Sequence, residues 1–327
     1  MLERFSMKIA GRWHRRSLLN CEGRVSTSSI LGNMDESFRL DPRAVRLQWQ
    51  RRAREPEPDF LRTTIERGLV ERLEPMRLEP ALIAVASCAQ SSLLHPLRQR
   101  FAEALIVAFE EDARALGACR DRLTPARPGW LARLRGGQPQ APARFVGFAP
   151  LCWPLAANSV DLLISSLYLH SCPQPAQQLA EWLRVLRPGG LMTFACLGVD
   201  TLSELRTLGA RLHPLPDMHD LGDALVKAGF AEPVVDTERL TVTWRGAATL
   251  LDEVRRWGGN ALPERFRGLL TPRHRAEWIN ALEALRRPDG LIAISVEVIF
   301  GHAWCPATKP LPGGLAPIHL RRRGADL

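Results

Sequence analysis

The stretch from Phe148 to Gly198 constrains the fold more than any other part of the chain. It reads FAPLCWPLAANSVDLLISSLYLHSC, then PQPAQQLAEWLRVL, then RPGGLMTFACLG. Val160–Leu163 and Leu191–Phe194 are continuous apolar runs, the pattern of parallel strands buried on both faces. Between them, Gln174–Leu186 places Leu179, Trp182, Leu183 and Leu186 at helical spacing. Pro188-Gly189-Gly190 is expected to stop that helix and turn the chain. The result is one strand–helix–strand unit of a parallel sheet.

Similar units are expected upstream. Pro80–Cys88 is apolar and bounded by proline and small residues, a first strand and its turn. Leu93–Phe101 follows as a helix. Ala104–Phe109 is a second strand, ending at Glu110-Glu111-Asp112, and Ala113–Leu116 begins another helix. Thr124–Ala143, rich in Pro, Gly and Arg, reads as an exposed loop, and Arg144–Phe148 as a short third strand. Before the first strand, Asp41-Pro42 has the pattern of a helix N-cap with proline in the first turn, opening a basic helix over Arg43–Arg54. A second helix over Asp59–Leu73 carries Phe60, Ile65, Leu69, Val70 and Leu73 on one side.

Downstream, VDTLSELRTLGARL predicts a helix capped by Asp200 or Thr201, with Glu204 completing a capping box. Leu221–Ala228 is a helix ended by Gly229; Asp217 and Asp220 are candidates either for its cap or for chemistry, the cap being preferred. Pro233–Leu240 and Leu240–Trp244 read as a terminal strand pair. Ala247–Trp257 and Arg273–Arg287 are helices, and Leu291–Trp304 alternates as a final strand.

The formal net charge is +9, yet only three of the 44 basic residues are Lys. That skew, with an excess of Ala, Leu and Pro, has the look of a coding bias. No aromatic-interleaved basic patch or nucleic-acid motif accompanies it, so an acidic protein partner is the better match. No apolar run reaches the roughly 18 residues of a membrane span. The seven Cys show no CxxC or His/Cys ligand spacing, so no zinc site is expected, and their usage fits a reducing, cytoplasmic compartment. Residues 1–33 are basic and Ser-rich without a signal-peptide core; they are expected to be disordered, either a short targeting segment or an extension upstream of a start at Met34.

The NSVD lead-in and the LRVLRPGGLMTF segment resemble the fourth and fifth strands of class I S-adenosylmethionine-dependent methyltransferases. LGVDTLSELR, DMHDLGDALVKAGFAEPVVDTERLTVTW, WGGNALPERFRGL and VEVIFGHAW narrow the resemblance to the malonyl-[acyl-carrier protein] O-methyltransferases of biotin synthesis, the BioC family. It runs from about Asp41 to Trp304; mitochondrial complex I assembly factors share the general pattern. The resemblance implies an α/β fold: a Rossmann-like sheet with helices on both faces, an N-terminal helical cap over 34–78, a methyltransferase domain with inserted lid elements over 79–304, and a tail over 305–327. It implies S-adenosylmethionine as cofactor and acyl-carrier protein as partner, the free malonyl carboxylate being methylated. That carboxylate is already ionised near neutral pH, so no general base is required. The absence of a Ser-His-Asp array is therefore expected, and His170, His213, His219 and His302 are read as packing or hydrogen-bonding residues.

By the same resemblance the cofactor site falls on Ser87, Ala89, Ser91, Glu110, Ala149 and Ser165. The family has an apolar run, an acid and glycines around a Cys; this chain has Ile83-Ala84-Val85-Ala86-Ser87-Cys88-Ala89-Gln90-Ser91. Val85 takes the acid position, and Ser87, Ala89 and Ser91 take glycine positions, where positive φ and close backbone approach are needed. Ala149 replaces an Asp before the adenine-binding turn. Glu110 keeps the acid that would bind ribose hydroxyls, or is simply an acid at a helix N-terminus. Two functional classes follow: a divergent carboxyl methyltransferase, or a pseudo-enzyme kept as a binding or assembly subunit beside an active homologue or the carrier protein.

Overall fold

The structure, a computed structural model, describes residues 39–52, 59–88, 91–123, 143–147, 151–257, 260–266, 268 and 271–307. Helices α1 (Pro42–Arg52) and α2 (Phe60–Leu73) lead into β1 (Leu82–Ala86), α3 (Leu94–Arg100), β2 (Leu105–Glu110), α4 (Ala113–Leu123) and β3 (Ala143–Gly147). Then come β4 (Val160–Ser166), α5 (Pro175–Val185), β5 (Leu186–Leu197), α6 (Ser203–Thr207), α7 (Met218–Ala228), β6 (Ala231–Trp244), α8 (Ala247–Arg256), α9 (Pro272–Glu283) and β7 (Ile292–Trp304). Among the described residues the strands form one sheet of order β3-β2-β1-β4-β5-β7-β6. The first five strands run parallel, while β7 is antiparallel to both β5 and β6.

Apolar packing on both faces fixes this arrangement. Alternate residues of β4 divide between two cores, with Leu162 and Ile164 on one face and Leu163 on the other. The first core also takes Leu61, Ile65 and Leu69 of α2, Leu94 and Leu97 of α3, and Leu250 of α8. The second takes Leu179, Trp182 and Leu183 of α5 with Leu221 and Leu225 of α7. Helix α1 reaches over the carboxyl end of β4 instead: Leu40, Ala44 and Val45 pack with Ala261, and Trp49 stands 5.2 Å from the Tyr168 ring. Asp41 Oδ1 accepts from Arg43 and Ala44 N–H, and Asp41 Oδ2 pairs with Arg265 at 2.6 Å.

Three local expectations are corrected. Pro188-Gly189-Gly190 does not end a helix with a free turn. The helix stops at Val185, and β5 begins at Leu186 and carries the RPGG residues within it. The register against β4 shifts there, between Val160 and Leu162, and Gly189 adopts φ 74°. Residues 231–244 are one long strand against β7, not a pair, because twelve aligned positions of β7 give it a continuous partner. The capping box at Thr201–Glu204 does not form. Thr201 Oγ1 donates to Glu297 O (3.0 Å), and the Glu204 carboxylate accepts from Ser295 N and Oγ (3.0 and 2.7 Å). Both side chains thus serve β7, and α6 is only five residues long. The expected caps on α1 and α7 are present: Asp41 and Asp217 each accept from a first-turn N–H, and Gly229 takes φ 94° after α7. Asp59, expected as the first residue of α2, caps it instead, accepting from Arg62 N. Residues 124–142 of the expected loop, residues 1–33 and the tail beyond 307 lie outside the described residues, while Ala143 belongs to β3 rather than to the loop.

Gly190 is where the β5 turn tolerates least. A Cβ there would stand 2.9 Å from Arg187 O and 3.0 Å from Val160 O, both backbone atoms held by the sheet. Gly190→Ala should therefore lower unfolding stability by about 1–3 kcal/mol, read from urea denaturation midpoints. An unchanged midpoint would mean that this turn has slack.

Candidate functional site

Strand order reverses between β1 and β4, and the crevice outside the carboxyl ends of these strands is where open α/β sheets bind ligands. The chain leaving β1 supplies the first wall. Ser87 lies in the left-handed region at φ 57°, where an L-residue costs about 1–2 kcal/mol and glycine costs nothing comparable. The turn is held by its backbone: Cys88 N donates to Phe109 O (3.0 Å) and Ser91 N to Cys88 O (3.1 Å). The buried Ser91 hydroxyl accepts from Leu93 N at 3.1 Å. Val85 is fully buried in the core between β2 and β4.

Glu110 closes the next wall at the end of β2. It is 4% exposed, and its Oε1 accepts from Glu111 N (3.0 Å) and, more weakly, from Asp112 N (3.4 Å). The cap of α4 is Asp112, whose Oδ1 accepts from Arg114 and Ala115 N–H at 3.0 and 2.9 Å. Glu110 therefore sits at the crevice without being the residue that caps the helix.

A directional chain of hydrogen bonds runs along the same side. The Gln178 amide oxygen accepts from the Trp182 and Trp153 indoles (2.8 and 3.2 Å), and its nitrogen donates to Tyr168 Oη (3.1 Å). Tyr168, in turn, donates to Glu111 Oε1 at 2.9 Å. Burial drives the Glu111 pKa up to about 7; the Tyr168 hydrogen bond and the Arg46 charge pull it down, and the neighbouring Glu110 charge pushes it up. Tyr168 itself is held well above the ordinary tyrosine range, first by burial.

On the opposite face, α2 brings a buried charge to the ends of β4 and β5. Arg62 is 4% exposed, and its Nη1 donates to Glu66 Oε1 at 3.3 Å. Glu66, with no exposed surface, accepts shorter bonds at Oε2 from Ser92 N and Oγ, both 2.6 Å. Asp59, Leu61, Arg62, Leu167, His170, Leu197 and Trp257 surround a cavity of about 10 Å³. His170 Nδ1 accepts from Leu197 N at 3.4 Å, a hydrogen-bonding role as expected. The Trp257 indole nitrogen and the Ser165 and Ser166 hydroxyls are buried with no hydrogen-bond partner among the described residues. Pleating puts Ser166 on the face of Leu162 and Ile164, toward α2, and Ser165 on the other.

Of the residues expected to line a cofactor site, Ser87, Ser91, Glu110 and Ser165 gather around the carboxyl ends of β1, β2 and β4; Ala89 and Ala149 lie outside the described residues. Sequence reasoning missed Arg62, Glu66, Tyr168, Gln178 and Trp257 as a group. A buried ion pair at i and i+4 on an otherwise apolar helix face was the one available signal for Arg62 and Glu66.

This topology and crevice define a class I methyltransferase fold. Residues 86–194 match the family model described as "Methyltransferase domain". The YcgJ protein of Bacillus subtilis, 13% identical, superposes with a TM-score of 0.50 over 74% of this chain and 99% of its own, a likeness of fold. The malonyl-[acyl-carrier protein] O-methyltransferase of Laribacter hongkongensis is 36% identical over 85% of this chain and 94% of its own length. That of Gallionella capsiferriformans is 34% identical over 86% and 97%. The chain belongs to the malonyl-[acyl-carrier protein] O-methyltransferase family.

The raised Glu111 pKa has a signed consequence. A carboxyl whose folded pKa lies above its unfolded value stabilises the fold while protonated, and that stability is lost as pH rises through about 7. The melting temperature should fall as pH rises from about 5 to about 8, and Glu111→Gln should flatten that dependence. Parallel profiles for the two proteins would place the titrating group elsewhere.

Proposed function

We propose that this chain is an S-adenosylmethionine-dependent O-methyltransferase acting on the free carboxylate of malonyl-acyl-carrier protein in biotin synthesis. The observation that carries the reading is the extent of the match. The general methyltransferase region ends at residue 194, whereas the carrier-protein methyltransferase of Laribacter matches over 287 residues. The shared segment thus includes the elements after β5 that differ among methyltransferases.

The residues at the crevice fit the cofactor in two respects. Ser87 adopts the left-handed conformation that lets backbone approach a ligand, and Glu110 stands at the end of β2, where ribose hydroxyls would donate to it. Val85, a core residue, contributes no anchor. When bound, the cofactor supplies an electrophilic methyl group on a positively charged sulfur. An acceptor carboxylate, already ionised, would receive that methyl without any residue of this chain having to move a proton. The protein's part is to align the acceptor and exclude water, tasks suited to α1 and α2 across the strand ends. The partner is an acidic carrier protein met by an Arg-rich surface, and the location is the cytoplasm. Among the described residues no helix is long and apolar enough to cross a membrane.

Intact-mass spectrometry of malonyl-acyl-carrier protein incubated with enzyme and cofactor should show the gain of one methyl group. A folded protein giving no transfer would favour the reading of a binding subunit that works beside an active homologue. The loop makes its own prediction: Ser87→Gly should raise unfolding stability by about 1–2 kcal/mol, since glycine pays no left-handed penalty. Destabilisation by this change would show that the Ser87 side chain is needed where it lies.

A further inference from the structure

We propose that Arg62 and the Trp257 indole form a carboxylate subsite, reading the free acid of the acyl substrate at the ends of β4 and β5; this rests on the function proposed above. The two side chains come from α2 and from the end of α8, far apart in sequence, and line the same cavity. Both are more than nine-tenths buried. The Trp257 Nε1–H is a donor only, and it has no acceptor among the described residues. Such a buried donor costs stability unless a ligand completes it.

Arg62 carries five N–H donors, and among the described residues its ion pair is one contact of 3.3 Å to Glu66. Glu66 is the poorer partner because its other oxygen is already taken by the two 2.6 Å bonds from Ser92. A planar guanidinium suits a carboxylate, and the indole N–H adds a second direction. Asp59, the one acid on the cavity wall, turns its Oδ1 onto Arg62 N at 2.7 Å and is used as the cap of α2. His170 on the cavity wall is held by Leu197 N, which donates to its Nδ1 at 3.4 Å. Leu61, Leu167 and Leu197 supply the dry surround that strengthens such contacts. A cavity of about 10 Å³ has room for about one water, which a carboxylate oxygen could replace.

The shared chemistry is a carboxylate, and there are two sources: the acyl substrate, or the amino-acid end of the cofactor. Calorimetric binding separates them without requiring turnover. The probes are malonyl-pantetheine, its methyl ester, and S-adenosylhomocysteine, titrated into wild type and Trp257→Phe. Trp257→Phe keeps an aromatic ring and removes the donor, at the cost of the buried volume of the indole's second ring. Expected are a melting temperature lowered no more than the lost ring volume accounts for, at least about a tenfold loss of affinity for malonyl-pantetheine, and unaltered affinity for the methyl ester and for S-adenosylhomocysteine. A second variant, Arg62→Gln with Glu66→Gln, replaces the buried ion pair by neutral amides and should erase the preference of acid over ester. The proposal is overturned by equal losses for acid and ester, by a loss confined to S-adenosylhomocysteine, or by wild type failing to bind malonyl-pantetheine. Absence of methyl transfer with acid-selective binding intact would instead count against the proposed reaction alone.

Discussion

The buried carboxylate of Glu66 joins the two sides of the crevice. A carboxylate with no exposed surface is costly unless its lone pairs are filled. Here they are filled from both directions: Ser92, just past the β1 turn, donates twice, and Arg62, one helical turn back on α2, donates once. The position of α2 over the strand ends is thereby coupled to the path of the chain after β1. The turn holding Ser87 and the cavity holding Arg62 are parts of one hydrogen-bonded unit. The apolar side of α2, with Leu61, Ile65 and Leu69 in the core, provides the area; Glu66 provides the register.

The opposite wall is built on a different principle. There the polar groups form a chain with one sense, from indole to amide to phenol to carboxyl, ending on Glu111. Aromatic rings surround it: Trp49 and Trp182 stand 5.2 and 6.0 Å from Tyr168, and Phe109 stands 4.4 Å from Trp153. Because the chain is buried, protonation of Glu111 is tied to the packing of α1 against the sheet. The two faces of β4 thus carry different chemistry, an ion pair near an unpartnered indole N–H on one and a titratable aromatic network on the other.

The fold was legible where one physical rule dominates. Continuous apolar strands, the amphipathic Leu179–Trp182–Leu183 face and the Asp41 and Asp217 caps all follow from local pattern, and all are present. Errors arose where tertiary partners outcompeted local ones. Thr201 and Glu204 spell a capping box, but the edge groups of β7 offer them better hydrogen bonds. Pro188-Gly189-Gly190 spells a helix stop, but β4 and β7 pair with the chain on either side of it. For the site, the strand-end positions of Ser87 and Glu110 were readable because backbone topology fixes them. Arg62, Glu66 and Trp257 were not, since their meaning depends on which helices meet over the sheet, and no local period encodes that.

The account stands on the β1 turn remaining able to receive a cofactor although serine replaces glycine at φ 57°. Ser87 keeps the left-handed backbone that would let a ligand approach, and Val85, buried in the core, presents no acid to it. Under the proposed function Glu110 would give the cofactor one charge-assisted hydrogen bond of about 1.5–3 kcal/mol, well short of the roughly 8 kcal/mol of a micromolar site. Calorimetric titration of the unaltered protein with S-adenosylmethionine is the direct measurement. Saturable one-site binding with a dissociation constant weaker than about 100 µM is the predicted result. Absence of saturable binding at millimolar ligand, or binding as tight as micromolar, would contradict it.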